Sequence, residues 1–135
     1  MSRLETPITR AYWRRVGGTL VEEFPLVQRG GGHAPRWIDA LIFPNGEHRI
    51  AKASEVEIDG ADVIVVQTKA GRLGMYLMGQ AVFSRQLMLT RFTPASVRSI
   101  ALCTRDDAVL RPLLLAFPGV EIVIMEKGEG LAAVG

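Results

Sequence analysis

Five polar side chains interrupt otherwise apolar segments and are of types that handle phosphate chemistry. Asp39 lies inside the segment RWIDALIF, where a carboxylate is costly unless it is paired, hydrogen-bonded or bound to a cation. Gln67 and Lys69 end the segment DVIVVQTK, and their spacing of two places both side chains on one face of a strand. Glu22 and Glu23 lie within GTLVEEFPLV. If these segments are neighbouring strands, two acids, an amide oxygen and an ammonium converge at one edge of a sheet.

This combination of groups suits metal-assisted hydrolysis of a phosphodiester. Mg²⁺ and Mn²⁺ prefer oxygen ligands, typically one or two carboxylates, with waters and substrate phosphate oxygens completing the shell. The bound cation neutralises charge on the phosphate and acidifies a water molecule. A lysine beside it orients or deprotonates the attacking water and stabilises developing negative charge.

The order of these motifs along the chain resembles the PD-(D/E)XK nuclease superfamily. The pattern of that superfamily is an acid in a hairpin strand, a central strand that ends in (Asp/Glu)-x-Lys, and then a helix. Here RWIDALIFPNG, DVIVVQTK and LGMYLMGQAVFSRQL follow one another in that order. The resemblance covers roughly residues 7–103. It implies that Asp39 binds the metal, that Lys69 is the catalytic lysine, and that Gln67 occupies the position of the second catalytic acid.

Gln67 is a departure from the pattern, because it supplies a neutral carbonyl oxygen where most members supply a carboxylate. The loss of one anionic ligand is expected to weaken cation binding. The resemblance also implies a metal-binding role for an upstream glutamate, here Glu22 or Glu23, which would offset that loss. These two side chains face opposite sides of a regular strand. Gln80 resembles a helix glutamine found in some branches of the superfamily.

A nuclease of this kind binds DNA, and three residues near the motifs are candidate contacts. Arg72 lies in the loop that enters the helix after the central strand, and Gln80 lies on the helix. Arg36 follows a glycine-rich loop that is either a flexible hairpin connection, which the sequence favours, or a segment that orders on DNA. The resemblance implies duplex or branched DNA as the substrate and Mg²⁺ or Mn²⁺ as the cofactor. It also implies a homodimer, because a catalytic core of 135 residues leaves no room for a separate recognition domain.

Apolar periodicity and turn signals predict the elements that must hold these side chains. A helix begins at Pro7, with Thr6 as its N-cap, and ends at Gly17 and Gly18. Three extended segments follow, with short extended pieces over residues 47–60. A long helix comes next; it is apolar nearly all round, so we expect much of it to be buried. The predicted bounds of these elements are, in order, 7–16, 19–28, 36–43, 62–68 and 73–91.

A strand, a helix and a final strand complete the chain over residues 97–103, 104–117 and 120–125. Pro112 bends that helix or marks its true first turn, and Asp106 and Asp107 are expected at its N-terminus. Hairpin connections and helical crossovers give an α/β fold with a mixed sheet and helices on both faces. The resemblance implies the restriction endonuclease-like three-layer α/β/α arrangement, in the order αβββαβαβ. We expect one domain over residues 1–125 and a flexible tail over 126–135.

The bulk composition is that of an ordinary globular protein, with 48% apolar and 22% charged residues and a net charge of +2. The charge alone does not indicate nucleic-acid binding. Cys103 is the single cysteine and is predicted to be a buried free thiol, which favours a cytoplasmic location. No segment predicts a membrane span or a signal peptide. His33 and His48 have no metal-ligand spacing, so no zinc site is predicted.

Two other functions compete with DNA cleavage. A nuclease-like fold that has lost cleavage and serves as a nucleic-acid-binding or assembly subunit is favoured by Gln67, whereas Asp39 and Lys69 favour an active enzyme. A nucleotide-binding α/β domain of another lineage is disfavoured, because neither a Gly-x-Gly-x-x-Gly nor a Gly-x-x-x-x-Gly-Lys-(Ser/Thr) loop follows any strand. Metal-dependent cleavage of DNA is therefore the leading expectation.

Overall fold

Helices and strands alternate along the chain in the computed structural model, which describes residues 1–126. Within that range three helices and six strands form, and one 3₁₀ turn spans Ala53–Glu55. Their bounds are α1 Glu5–Val16, β1 Thr19–Val27, β2 Arg36–Phe43, β3 Arg49–Ile50, β4 Asp62–Arg72, α2 Met75–Arg91, β5 Ser96–Arg105, α3 Arg111–Leu115 and β6 Val120–Ile124. The predicted flexible tail lies outside the described residues, apart from Glu126.

The six strands form one mixed sheet in the order β3-β1-β2-β4-β5-β6. β1 pairs antiparallel with β2, and β2 with β4, because each connection returns the chain in the opposite direction; the one from β2 to β4 spans residues 44–61 and contains β3 and the 3₁₀ turn. β4, β5 and β6 pair parallel, since the segments containing α2 and α3 carry the chain back between them. The predicted α/β class and mixed sheet are confirmed, and the two-residue strand β3, parallel to β1 at the edge, lies within the range where short extended pieces were predicted.

The two faces of the sheet are covered by different helices. On one face, α1 packs through Ile8 and Tyr12 against residues such as Ile42 and Ile64. On the other face, α2 packs through Met88 in the cluster that contains Val65. Other side chains of α2, together with Leu114 of α3, pack against Ala101 and Cys103 of β5 and form a third cluster. Because successive side chains of a strand point to opposite faces, the alternating apolar residues of β4 and β5 supply both cores.

The first helix begins two residues earlier than predicted, at Glu5 instead of Pro7. Thr6 is not its N-cap, and that prediction is wrong: the Thr6 hydroxyl donates to the Ser2 carbonyl. Instead, the Glu5 N–H donates to Ser2 Oγ at 3.2 Å, and the Ser2 N–H donates to Glu5 Oε1 at 3.1 Å. This reciprocal Ser-x-x-Glu pair satisfies two donors that a helix start leaves open, which explains the earlier beginning. The end at Gly17 is as predicted.

The second helix is far less buried than its composition suggests. It begins at Met75, because Gly74 before it is extended. Its side chains Met75, Tyr76 and Phe83 are 75%, 81% and 61% exposed, so the expectation of a mostly buried helix is wrong for this face. Apolar composition all round a helix does not bury it, because the sheet covers only one side.

The segment after β5 is mostly not helical. The expected helix over residues 104–117 shrinks to α3, and Pro112 lies in its first turn, which was one of the two predicted roles for this proline. Before the helix, Asp107 Oδ1 accepts the N–H groups of Val109 and Leu110, each at 3.0 Å. Asp107 therefore closes the turn that leads into the short helix. Within residues 1–126 no helix is both long enough and apolar enough to cross a bilayer.

Candidate active site

The neighbouring strands β2 and β4 stop pairing where the predicted site residues lie. Toward Asp39, the last residue pair between the two strands is Ala40 with Val66. One residue further, Asp39 Oδ2 accepts the Thr68 N–H at 2.8 Å. Gln67 Oε1 in turn accepts the Asp39 N–H at 3.3 Å. Where β2 and β4 separate, which we call the split, hydrogen bonds of the Asp39 and Gln67 side chains replace the backbone pairing. The structure thus brings Asp39 and Gln67 together, as predicted.

Gln67 is the more enclosed of the two and uses both ends of its amide. Its side chain is 2% exposed. While Oε1 accepts from Asp39, Nε2 donates to Ser84 Oγ of α2 at 2.8 Å. A buried amide needs such partners, since an unmade hydrogen bond costs about 1–3 kcal/mol. Gln67 therefore ties β4 to both β2 and α2.

Asp39 is half-buried, and its surroundings on balance disfavour the ionised form of its carboxyl group. Burial raises the pKa of the Asp39 carboxyl, and the negative charges of Glu5 and Glu23 raise it further. The Thr68 N–H and the N-terminal amino group lower the pKa, but burial is the larger effect. Its second oxygen, Oδ1, accepts no hydrogen bond from any residue in the range 1–126. Asp39 thus has a carboxylate oxygen without a partner in this range, in a half-buried position that it shares with Glu23 and the Met1 amino group.

Glu23 lies across from Asp39 and has an unusual backbone. Its φ angle of 51° is in the left-handed region, and no other non-glycine residue within 1–126 has a positive φ. This conformation interrupts the alternation of β1: Val21 and Phe24, three positions apart, pack in the same core cluster. The Glu23 carboxylate accepts from the Met1 amino group, and it shares a depression of about 230 Å³ with Asp39. Left-handed backbone in a non-glycine residue is often found at functional sites.

Glu22 has a different neighbour from Glu23. It lies on the side of the sheet covered by α1, where Arg10 donates to its two carboxylate oxygens at 2.8 Å and 3.1 Å. A two-pronged arginine–carboxylate pair of this kind holds both oxygens. Of the two candidate glutamates, Glu23 is therefore the one that the structure brings beside Asp39.

Lys69 lies on the same face of β4 as Gln67, as predicted. The register pairs Gln67 with Ala101 and Lys69 with Cys103, and both partners belong to the core beneath α2 and α3. Lys69 is exposed, and its ammonium forms no hydrogen bond or ion pair with any residue in the range 1–126. The parallel pairing of β4 becomes irregular immediately after it. Lys69 is thus available to a ligand, but it lines neither the depression at Asp39 nor the hollow between β2 and α2.

A hollow of about 430 Å³ opens between β2 and α2, and we call it the aromatic hollow. Its walls include Arg36, Trp37, Gln67, Tyr76, Gln80 and Phe83. Two of the three predicted DNA contacts, Arg36 and Gln80, therefore lie in one place, with Gln67 at the same site. Trp37 also lines the depression at Asp39, so the two sites adjoin.

Arg72, the third predicted DNA contact, lies apart from this hollow. It lines a different depression together with Arg105 and Asp106. Its Nη1 donates to the Asp106 carbonyl at 2.8 Å, so one of its donors is already used within the chain. The structure does not bring Arg72 together with Arg36 and Gln80.

Sequence reasoning missed four residues that the structure places at the site, namely Trp37, Tyr76, Phe83 and Ser84. Ser84 follows Gln80 by four positions, a spacing that puts both on one helix face and was the available signal. Tyr76 and Phe83 also share one face of the helix, because they are seven positions apart. The apolar character of the helix nearly all round instead predicted that much of it is buried. Nothing in the sequence indicates that this face of α2 lacks a covering element.

Within residues 1–126 no three acidic, histidine or cysteine side chains lie close enough together to hold a metal ion by themselves. The oxygen donors that do adjoin are Asp39 and Glu23, a set suited to a hard cation that keeps several waters. In comparisons with protein-family models, with curated proteins and with solved structures, no significant match to this chain was found.

Proposed function

We propose that this protein is a metal-dependent nuclease that hydrolyses phosphodiester bonds in DNA and has a restriction endonuclease-like α/β/α arrangement. The observation that carries the proposal is the split between β2 and β4. There Asp39 keeps one carboxylate oxygen unbonded while Glu23 and Glu5 raise its pKa. Burial is the largest cause of the raised pKa, ahead of the opposing Thr68 N–H and Met1 amino group, so the ionised carboxylate is destabilised and a bound cation removes that destabilisation. The order of elements, with helices on both faces of a mixed sheet, is compatible with the proposed arrangement.

In this proposal Asp39 and Glu23 hold Mg²⁺ or Mn²⁺, and Gln67 positions Asp39. The ion, when bound, supplies a Lewis acid that neutralises phosphate charge and lowers the pKa of water. Asp39 contributes its unbonded oxygen, while Thr68 holds the other oxygen in place. Glu23 is favoured over Glu22 because Arg10 already occupies both oxygens of Glu22. Gln67 fixes the main chain of Asp39 by accepting its N–H.

Lys69 has the role of binding and orienting the attacking water or the scissile phosphate. Its ammonium has no partner within residues 1–126, so binding a phosphate oxygen breaks no existing ion pair. An ammonium aimed at developing negative charge stabilises the transition state more than the ground state. Its side chain is exposed and lies two residues after Gln67 within β4, which continues to Arg72 and does not end at residue 68 as predicted.

One observation favours a second function, in which the protein binds nucleic acid without cutting it. Both ends of the Gln67 amide are used inside the protein, by Asp39 and Ser84. A glutamine so engaged contributes little to a cation shell, and it adds no charge. The cation would then depend on Asp39 and Glu23 alone. A nuclease-like domain of this kind would serve as a binding or assembly subunit.

The deciding experiment is a cleavage assay on supercoiled plasmid and on a branched DNA junction, in Mg²⁺, in Mn²⁺ and in chelator. Wild type is compared with Lys69→Ala and with the matched control Lys52→Ala, another exposed lysine that lies on the far side of β1 beside the 3₁₀ turn. We expect metal-dependent cutting that Lys69→Ala abolishes and Lys52→Ala retains. Circular dichroism of each variant establishes that it is folded.

The two functions give different outcomes. Folded wild type that cuts neither substrate in either metal, yet binds DNA with an affinity that falls steeply as salt rises, establishes the binding role. Cutting that persists in chelator, or that Lys69→Ala leaves unchanged, contradicts the proposed site.

A further inference from the structure

The aromatic hollow exposes an unusual amount of apolar surface next to the candidate active site. Trp37, Tyr76 and Phe83 are 58%, 81% and 61% exposed, and all three line the same hollow. Single exposed apolar side chains are normal on a protein surface, but several that adjoin one another indicate a binding site. The volume of about 430 Å³ is in the range of pockets that take small planar groups.

The charge of the hollow selects the class of ligand. Arg36 is charged, and within residues 1–126 no carboxylate lines the hollow. The Arg36 guanidinium uses one N–H on the Pro35 carbonyl at 3.0 Å, which leaves its other donors for a ligand. An apolar partner laid over this wall would bury those donors unpaired, which is unfavourable. A ligand that carries negative charge beside a flat apolar group satisfies both features of the hollow.

Gln80 adds a side-chain amide that can form hydrogen bonds with a ligand in the hollow. Its amide makes no hydrogen bond with any residue in the range 1–126, unlike that of Gln67, which is bonded to Ser84 at the same site. An amide offers one acceptor and two donors and pairs with the edges of nucleobases. Aromatic rings that stack on a base, a guanidinium for its phosphate and a free amide for its edge form a set typical of single-stranded nucleic-acid binding.

We propose that the aromatic hollow binds an unpaired nucleobase of a single-stranded nucleic acid, by stacking on Trp37, Tyr76 or Phe83 beside Arg36. The inference deepens the proposed function by naming its substrate class: nucleic acid with an unstacked base next to the cleaved phosphodiester. Continuity supports this link, since Trp37 lines both the hollow and the depression at Asp39. A base in the hollow therefore has its backbone close to the candidate metal site.

The test measures binding without cleavage, in chelator. A short fluorescein-labelled oligothymidine and a duplex of the same length are titrated with wild type, Trp37→Ala, Trp37→Phe and Phe117→Ala, and anisotropy is recorded. Phe117 is the matched control, because it is a 45% exposed aromatic outside the hollow. We expect a preference for the single strand. Trp37→Ala should weaken it about 5- to 100-fold, Trp37→Phe should restore most of the affinity, and Phe117→Ala should leave it unchanged.

Tryptophan fluorescence provides a second readout in the same titration. Trp37 is exposed, whereas Trp13 is 7% exposed and stacks on His48 at 4.4 Å. Quenching by oligothymidine should therefore come from Trp37 and be absent in Trp37→Phe.

Two results overturn the inference, and both are separable from failure of the nuclease proposal. Equal affinity for duplex and single strand, unchanged in Trp37→Ala, excludes a base in the hollow even if the protein cuts plasmid in Mg²⁺. No oligonucleotide binding, together with a dimer by light scattering that Trp37→Ala converts to monomer, identifies the hollow as a homodimer interface. Conversely, single-strand binding through Trp37 without any cleavage supports the inference and refutes only the nuclease proposal.

Discussion

Replacing Asp39 with asparagine separates what this side chain does for the fold from what its charge does for function. Asparagine keeps an oxygen that accepts the Thr68 N–H, which Asp39 Oδ2 now accepts at 2.8 Å. It removes the negative charge that burial, Glu5 and Glu23 oppose. We expect Asp39→Asn to be at least as stable as wild type at neutral pH and to have no metal-dependent cleavage. A residue whose removal stabilises the fold and abolishes activity is retained for function.

The size of the structural contribution follows from comparing asparagine with alanine. Both variants lack the charge, but only Asp39→Ala leaves the N–H of the buried Thr68 without its acceptor. An unsatisfied buried donor costs about 1–3 kcal/mol. For a domain of this size about 1 kcal/mol shifts Tm by roughly 4 °C. Asp39→Ala should therefore unfold about 4–12 °C below Asp39→Asn.

The pH dependence supplies a check on the charge. Because the pKa of Asp39 is raised in the folded state, folded protein binds the proton more tightly than unfolded protein. This stability is fully present below the ordinary carboxyl pKa of about 4 and is lost as pH rises through the raised pKa. The advantage of Asp39→Asn over wild type should be largest near pH 7 and should shrink toward pH 4.

Thermal unfolding by circular dichroism at several pH values measures both differences. The reasoning is refuted if Asp39→Asn is less stable than wild type at pH 7 by about 1 kcal/mol or more, with no change toward pH 4. That result would mean that the ionised carboxylate stabilises the fold and that its free oxygen has a structural partner. Full cleavage activity in Asp39→Asn would separately exclude Asp39 from the metal site.

Two further predictions concern buried groups. Gln67→Glu places a second carboxylate beside Asp39 at a 2% exposed position, so it should destabilise metal-free protein by about 1–3 kcal/mol. Mg²⁺ should recover more Tm in this variant than in wild type, as measured by scanning fluorimetry; an identical Mg²⁺ response in both proteins would contradict the metal site. Cys103 is fully buried, and burial raises the pKa of its thiol to about 11. It should therefore react with a thiol reagent only in denaturant, and rapid labelling of native protein would show that its core opens.

The sequence by itself determined the features that depend on neighbouring residues along the chain. The strand β2 has the predicted bounds, Arg36–Phe43, because proline and glycine signals flank a continuous apolar segment. Gln67 and Lys69 share a face because successive side chains of any strand alternate. The lone cysteine is buried, as its apolar setting predicted. These results need only covalent geometry and local hydrophobicity.

The partners of the site residues were decided by the tertiary structure, because they come from segments far apart in the chain. Glu22 and Glu23 are chemically identical, yet Arg10 of α1 holds one, and a left-handed backbone places the other beside Asp39. Alternation along a strand does not indicate where a strand departs from regular geometry.

The exposed face of α2 was likewise decided only by packing. Its sequence is apolar nearly all round, but the sheet covers one side and leaves Tyr76 and Phe83 in solvent. Burial depends on which other elements are present to cover a surface, and hydrophobicity along one helix carries no information about that. For the same reason the hollow beside Trp37, and with it the inferred base-binding site, is visible only once β2 and α2 are packed together.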